Sequence, residues 1–119
     1  MATFSKTILS GSTDGKQIKV AATATAGTLI HTGSTTPATL HEVWLYAVNT
    51  DSTDRKLTIE WGGVGSPDDL IEFTVKAENG LYLIIPGLVL KGNATALNVR
   101  AFAATANVIC ISGYVNVIA

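Results

Sequence analysis

Two histidines, one cysteine and a few short acidic runs are the residues with which this 119-residue chain could attempt metal or covalent chemistry, and their spacing limits what they can do. His31 and His41 fall near the ends of expected strands and lie far from Cys110 in sequence. A zinc site built on them would need carboxylates brought in from elsewhere, and no spacing in the chain fits a zinc pattern. Cys110 has Val108, Ile109 and Ile111 as neighbours, so it is expected to be a buried, inert thiol, and no nucleophile-elbow pattern is present. Asn49, Asp51 and Thr53, with Glu60 in the twelfth place, superficially imitate a calcium loop. The sixth place is Asp54 where a glycine is needed for the sharp bend, so a solvated turn is the expectation. Asp68 and Asp69 are adjacent and would point to opposite faces of an extended chain, which prevents them from acting as an acid–base pair. Gly62-Gly63-Val64-Gly65 opens no helix and carries no phosphate-loop lysine, and reads as a flexible connection. No residue is therefore assigned a catalytic, cofactor-binding or metal-ligating role. The side chains left to carry function are the aromatic ones, Trp44, Tyr46, Trp61, Tyr82 and Tyr114, as core, as anchors of an intersubunit contact, or as a stacking surface for sugars.

The elements that must position them are strands. Leu57, Ile59 and Trp61 alternate with Lys56, Thr58 and Glu60, which predicts a half-buried strand with a polar face. Ile71, Phe73 and Val75 alternate in the same way with Glu72, Thr74 and Lys76, and the glycine-rich loop between the two runs predicts a hairpin. From Leu40 to Val48 neither face is polar, which places that strand centrally or at an interface. Leu81 to Ile85 is expected to break at Pro86-Gly87 and to resume at Leu88, with Pro86 marking a bend or an edge because it has no amide to give a ladder. The final strand, within Asn107 to Ile118, reads as buried on both faces, with Gly113 permitting a bulge or the close approach of a neighbour. Thr3 to Leu9, Ile18 to Ala22 and Thr28 to His31 are weaker candidates. No segment keeps helical spacing of apolar residues. Eight to ten short strands with recurrent turn signals argue for two packed antiparallel sheets or a barrel; the expectation, as the commonest arrangement at this size, is an all-β, antiparallel β-sandwich of jelly-roll type, one domain over residues 1–119, whose first 15 or so residues could form an extended arm.

Composition narrows the partners. Hydrophobic residues make up 47% of the chain and charged ones 14%, too apolar for a disordered tail. Eight basic residues against nine acidic ones leave a net charge of −1 with no basic cluster, which argues against nucleic acid. The longest apolar stretch is too short to span a bilayer as a helix, and residues 1–9 lack the apolar core of a secretory signal. The low charge predicts apolar surface left over for other subunits, and so an oligomer.

Three stretches, Leu40 to Asn49, Leu57 to Gly63 and Asn107 to Ala119, resemble the small all-β virion proteins encoded beside the major capsid protein of tailed bacteriophages, several of which are head decoration or cement proteins. The resemblance spans roughly Leu40 to Ala119. It implies a non-enzymatic structural protein made in the host cytoplasm and located in the virion, a homo-oligomer with a trimer favoured, and the major capsid protein as partner. A tail, baseplate or head-fibre protein would share these marks. A carbohydrate-binding module of the same fold is the alternative from another class, distinguished by an aromatic row exposed on one face.

Overall fold

The computed structural model describes residues 2–119, and nine strands, turns and bends account for them without a helix. The strands are β1 (Phe4–Ile8), β2 (Ile18–Lys19), β3 (Thr28–Thr32), β4 (Leu40–Asn49), β5 (Arg55–Trp61), β6 (Leu70–Val75), β7 (Tyr82–Lys91), β8 (Asn98–Ala103) and β9 (Ile109–Ile118). They form two antiparallel sheets. One runs β1-β9-β4-β7, with β2 also paired to β9; the other runs β3-β8-β5-β6. This interleaved order, in which early strands pair with late ones, is that of a jelly roll, the arrangement expected as the commonest at this size.

The core lies between the sheets. Val43, Leu45 and Ala47 of β4, Ile109, Ile111 and Val115 of β9, Leu57 and Ile59 of β5, and Val99 and Ala101 of β8 are all buried there. The accessible surface is 6132 Å² for 12.4 kDa, close to the value of about 6100 Å² that mass scaling gives for a folded monomer. The protomer thus completes its own core, and apolar residues left outside are not a packing deficit.

Several expectations are met and several corrected. The β5–β6 hairpin pairs from Arg55↔Val75 to Glu60↔Leu70. Gly113 is a site of close approach, since a Cβ there would stand 1.9 Å from the Trp44 carbonyl oxygen on the neighbouring strand. Pro86 does lie on an edge strand, but β7 is continuous through it: the register against β4 slips at Gly87, and this bulge absorbs the irregularity that was expected to end the strand. Cys110 is not core. Strand alternation puts it beside Val48 on the outer face of the first sheet, half-buried, while Ile109 and Ile111 point inward. The outer face of β9 is accordingly only half-buried. The polar face expected on β5 is also largely covered, because Thr58 and Glu60 are buried while Lys56 is exposed.

The N-terminal segment is extended but does not stand free. β1 pairs with β9 from Phe4↔Ile118 to Ile8↔Tyr114, and the backbones of Thr3 and Ala119 exchange hydrogen bonds of 2.7 and 2.9 Å. Met1, the first residue of the expected arm, lies outside the described residues.

Candidate functional site

Antiparallel partners point to the same side of a sheet, so the registers fix the composition of each face. The outer face of the first sheet carries Glu42, Trp44, Tyr46 and Val48 from β4, opposite Asn116, Tyr114, Ser112 and Cys110 from β9. Phe4, Lys6 and Ile8 of β1 extend it on one side, and Leu83 and Val89 of β7 on the other. Phe4 and Ile8 are 72% and 46% exposed, an unusual price for large apolar side chains in water.

Three of the five aromatic candidates meet on this face and two do not. Trp44, Tyr46 and Tyr114 share it. Tyr82 stands opposite Ala47 on the inner side, where its ring packs 5.9 Å from Phe73, and Trp61 closes the rim of the core. Trp44 lies flat on the sheet. An ideal Cβ on Gly87 would be 2.9, 3.0 and 3.3 Å from three consecutive bonded atoms of the indole, a set of distances that puts the glycine under the ring face and not against its edge. Gly87 is therefore the residue that lets the indole settle onto β7. The Tyr114 ring is stacked on the indole, 12° from parallel with 6.0 Å between centroids. The Lys6 ammonium sits 4.6 Å above the Tyr114 ring, a cation–π placement.

A polar row borders these rings. Trp44 Nε1–H donates to Glu42 Oε1 at 2.7 Å, and the Asn116 side-chain amide donates to the same oxygen at 2.8 Å. These two bonds hold the Glu42 carboxyl below the usual carboxylate range. Phe4, Ser5, Lys6, Glu42, Asn116 and Ile118 line a groove of about 330 Å³ beside the rings. Glu42, Asn116, Lys6 and Gly87 match no binding motif in the sequence. Only the two-residue step Glu42-Trp44-Tyr46 was a usable signal, since it places a carboxylate on the aromatic side of β4.

No family model, curated protein or solved structure matches this chain. Its chemistry is therefore read from its own side chains.

The two histidines find each other across the core. His31 on β3 and His41 on β4 belong to opposite sheets, and Nε2 of His31 lies 2.8 Å from Nδ1 of His41. Ser10 N–H donates to His31 Nδ1 at 3.1 Å, which fixes the tautomers: His31 carries its proton on Nε2 and donates to His41. A register slip between Leu29 and His31 turns both Ile30 and His31 inward, where His31 is 2% exposed. Burial, and secondly the neighbouring His41, lower the His31 pKa to about 4; burial lowers that of His41 as well. Among the described residues no three His, Cys, Asp or Glu side chains converge on a metal-sized space.

On the outer face of the second sheet, Glu60 is fully buried beneath the segment joining β2 to β3. Gly27 N–H donates to its Oε1 at 2.7 Å, and the Thr25 hydroxyl donates to its Oε2. Arg100, opposite Glu60 on β8, donates to the Gly27 carbonyl at 3.1 Å. Glu60 thus anchors a loop. Glu60→Ala is expected to cost roughly 1–3 kcal/mol by stranding a buried amide, and Glu60→Gln less, because it keeps an acceptor for Gly27. Urea midpoints of the two variants check this, and equal midpoints would contradict the anchoring role.

Asn49 and its turn need no cation. The Asn49 amide donates to the Thr53 and Val75 carbonyls, its Oδ1 accepts Asp51 N–H, and Arg55 pairs with Asp51 at 2.6 Å. Of the oxygens that imitated a calcium loop, those of Asn49 and Asp51 are engaged within the turn and those of Glu60 hold Thr25 and Gly27, while the Asn49 amide nitrogen ties the end of β4 to the end of β6.

Proposed function

We propose that this chain is a non-enzymatic structural protein of a tailed-phage particle, a decoration or cement protein that adds to the head shell as an oligomer, with a trimer favoured. The observation that carries the adhesive part of this reading is the apolar rim along β7. Leu81, Leu83, Leu88 and Val89 are 58%, 44%, 42% and 46% exposed on or beside one edge strand of a protomer whose core is already complete. Leu83 and Val89 face outward and Leu88 stands opposite Val43 on the inner side, so a neighbour arriving edge-on would cover hydrocarbon on both sides of the strand. Pro86 and the bulge at Gly87 interrupt the free hydrogen-bonding edge, which favours side-chain packing over open-ended sheet extension. Closed association of that kind suits a protein that repeats one modest contact over a symmetric lattice, where multivalency makes weak sites hold. The phage assignment itself rests on the resemblance of the three stretches named above.

Sedimentation velocity at micromolar concentration is expected to show a trimer, and Leu83→Lys with Val89→Lys a monomer of unchanged fold. A monodisperse wild-type monomer would count against self-association. The open reading frame is expected beside a major capsid gene; a position among polysaccharide-processing genes would overturn the virion role.

A further inference from the structure

We propose that the outer face of the first sheet is a binding site for a neutral saccharide, with the Trp44 indole as the stacking plate and Glu42, Asn116 and Lys6 as the hydrogen-bonding rim. Sugar rings have one hydrocarbon-rich side and a polar circumference, so a site that recognises them needs a flat, outward-facing aromatic surface with donors and acceptors in a line beside it. Both parts are built here. Gly87 backs one side of the indole, which remains partly exposed, and Tyr114, whose own ring carries the Lys6 ammonium, stacks against the indole and braces it. A side chain on residue 87 would lift the indole out of this position, so the glycine is a positioning residue for the plate.

The rim is pre-organised. Both donors to Glu42 use Oε1, which fixes the carboxylate and leaves Oε2 without a protein partner among the described residues. Asn116, Lys6 and Glu42 stand in one cross-strand row, along the floor of a groove whose volume of about 330 Å³ falls in the lower range of small-ligand sites. One cation and one anion in that row cancel, so the site offers an anionic sugar no net attraction; this commits the proposal to a neutral glycan. A protein partner on this face would have to bury Glu42 Oε2 and the Lys6 ammonium with them, a cost that a hydroxylated ligand avoids by bonding to both. The hydrogen-bonding row lies on β4, β9 and β1, while the indole reaches β7, so saccharide titration is also run on the Leu83→Lys, Val89→Lys variant, in which the β7 contact is removed. With that variant, saccharide binding and self-association can fail independently.

The probe is a panel of neutral gluco-, manno- and galacto-oligosaccharides, read by tryptophan fluorescence on the full chain. Trp61→Phe removes the other of the two tryptophans and makes Trp44 the sole reporter. At least one oligosaccharide is expected to shift its emission saturably. Calorimetry with that sugar is expected to show a loss of roughly tenfold or more in affinity for Trp44→Ala, the scale of one aromatic stack, and a smaller loss for Glu42→Gln. Thermal melts establish that each variant is folded. The proposal is overturned if no member of the panel gives a saturable change, if folded Trp44→Ala binds as well as wild type, or if only acidic oligosaccharides bind.

Discussion

Replacing Gly113 with alanine is expected to prevent stable folding. The added methyl would meet the Trp44 carbonyl oxygen at 1.9 Å and the Leu45 Cα at 3.2 Å, both backbone atoms of the strand alongside. Relief by sliding is closed off. β9 is held by β1 and β2 as well as by β4, and β4 is held by β7 on its other side. Overpacking a core commonly costs about 1–3 kcal/mol with side chains free to move, and a backbone collision at the centre of a sheet should exceed that range. Gly80→Ala is the matched control: Gly80 has φ +74 but nothing within 4 Å of an added Cβ, so it should lose about 1 kcal/mol from backbone strain alone. Equilibrium denaturation ranks the two. A Gly113→Ala protein with a wild-type midpoint would mean that β4 and β9 are not locked together as described.

The second large effect is a loss of stability in mild acid. His31 accepts from Ser10 N–H and donates to His41, an arrangement that works only while both rings are neutral, since a proton on either Nδ1 would set two donors against each other. An unfolded histidine takes its proton near pH 6.5 and native His31 only near 4, so between these values the unfolded chain binds more protons. Stability is then fully present above pH 6.5 and falls as the pH drops toward 4, by roughly 3 kcal/mol for His31 alone. His41 adds in the same direction. The hydrogen-bonded carboxylates of Glu42, Asp51 and Asp54, all lowered by their donors, contribute losses that begin only near their own unfolded values of 4.5 and 3.8, at the acid end of the histidine window. Urea midpoints between pH 8 and 4.5 should fall steeply in the wild type and remain nearly level when both histidines are replaced by glutamine. A wild-type profile that is flat over this interval, or one that the double replacement does not flatten, would show that the pair is not the acid-sensitive element.

Sequence patterning was a good guide wherever one side of a strand meets water. Ile71, Phe73 and Val75 could be assigned inward because Glu72 and Thr74 on the other side are solvated. Pro86 announced an edge because a proline has no amide to give. Glu60 failed the same reading because its cover arrives from Thr25 and Gly27, more than thirty residues upstream, and local alternation carries no record of a loop folding over from elsewhere. Cys110 is a different case: its alternation with Ile109 and Ile111 already placed it outside, yet its apolar neighbours drew it into the expected core. The histidine pair was hidden because it spans two sheets, and which strands face each other depends on the crossing order, which no short window contains. At the candidate site, the aromatic residues were visible by type. Their division into a flat plate and a core rim was not, because it depends on Gly87 and on a register slip of one residue.

The position of β9 bears on how the molecule is made. β1, β2 and β4 all pair with it, although it is the last of the nine to be synthesised. As the nascent chain leaves the ribosome, the 3-8-5-6 sheet can zip up and β7 can join β4, while the other edge of β4, apolar on its inner side and aromatic on its outer side, still lacks its second partner. For that interval the emerging polypeptide presents an open, aromatic-bearing sheet edge, and chaperones or sister chains have their best opportunity to seize it before the closing strand arrives.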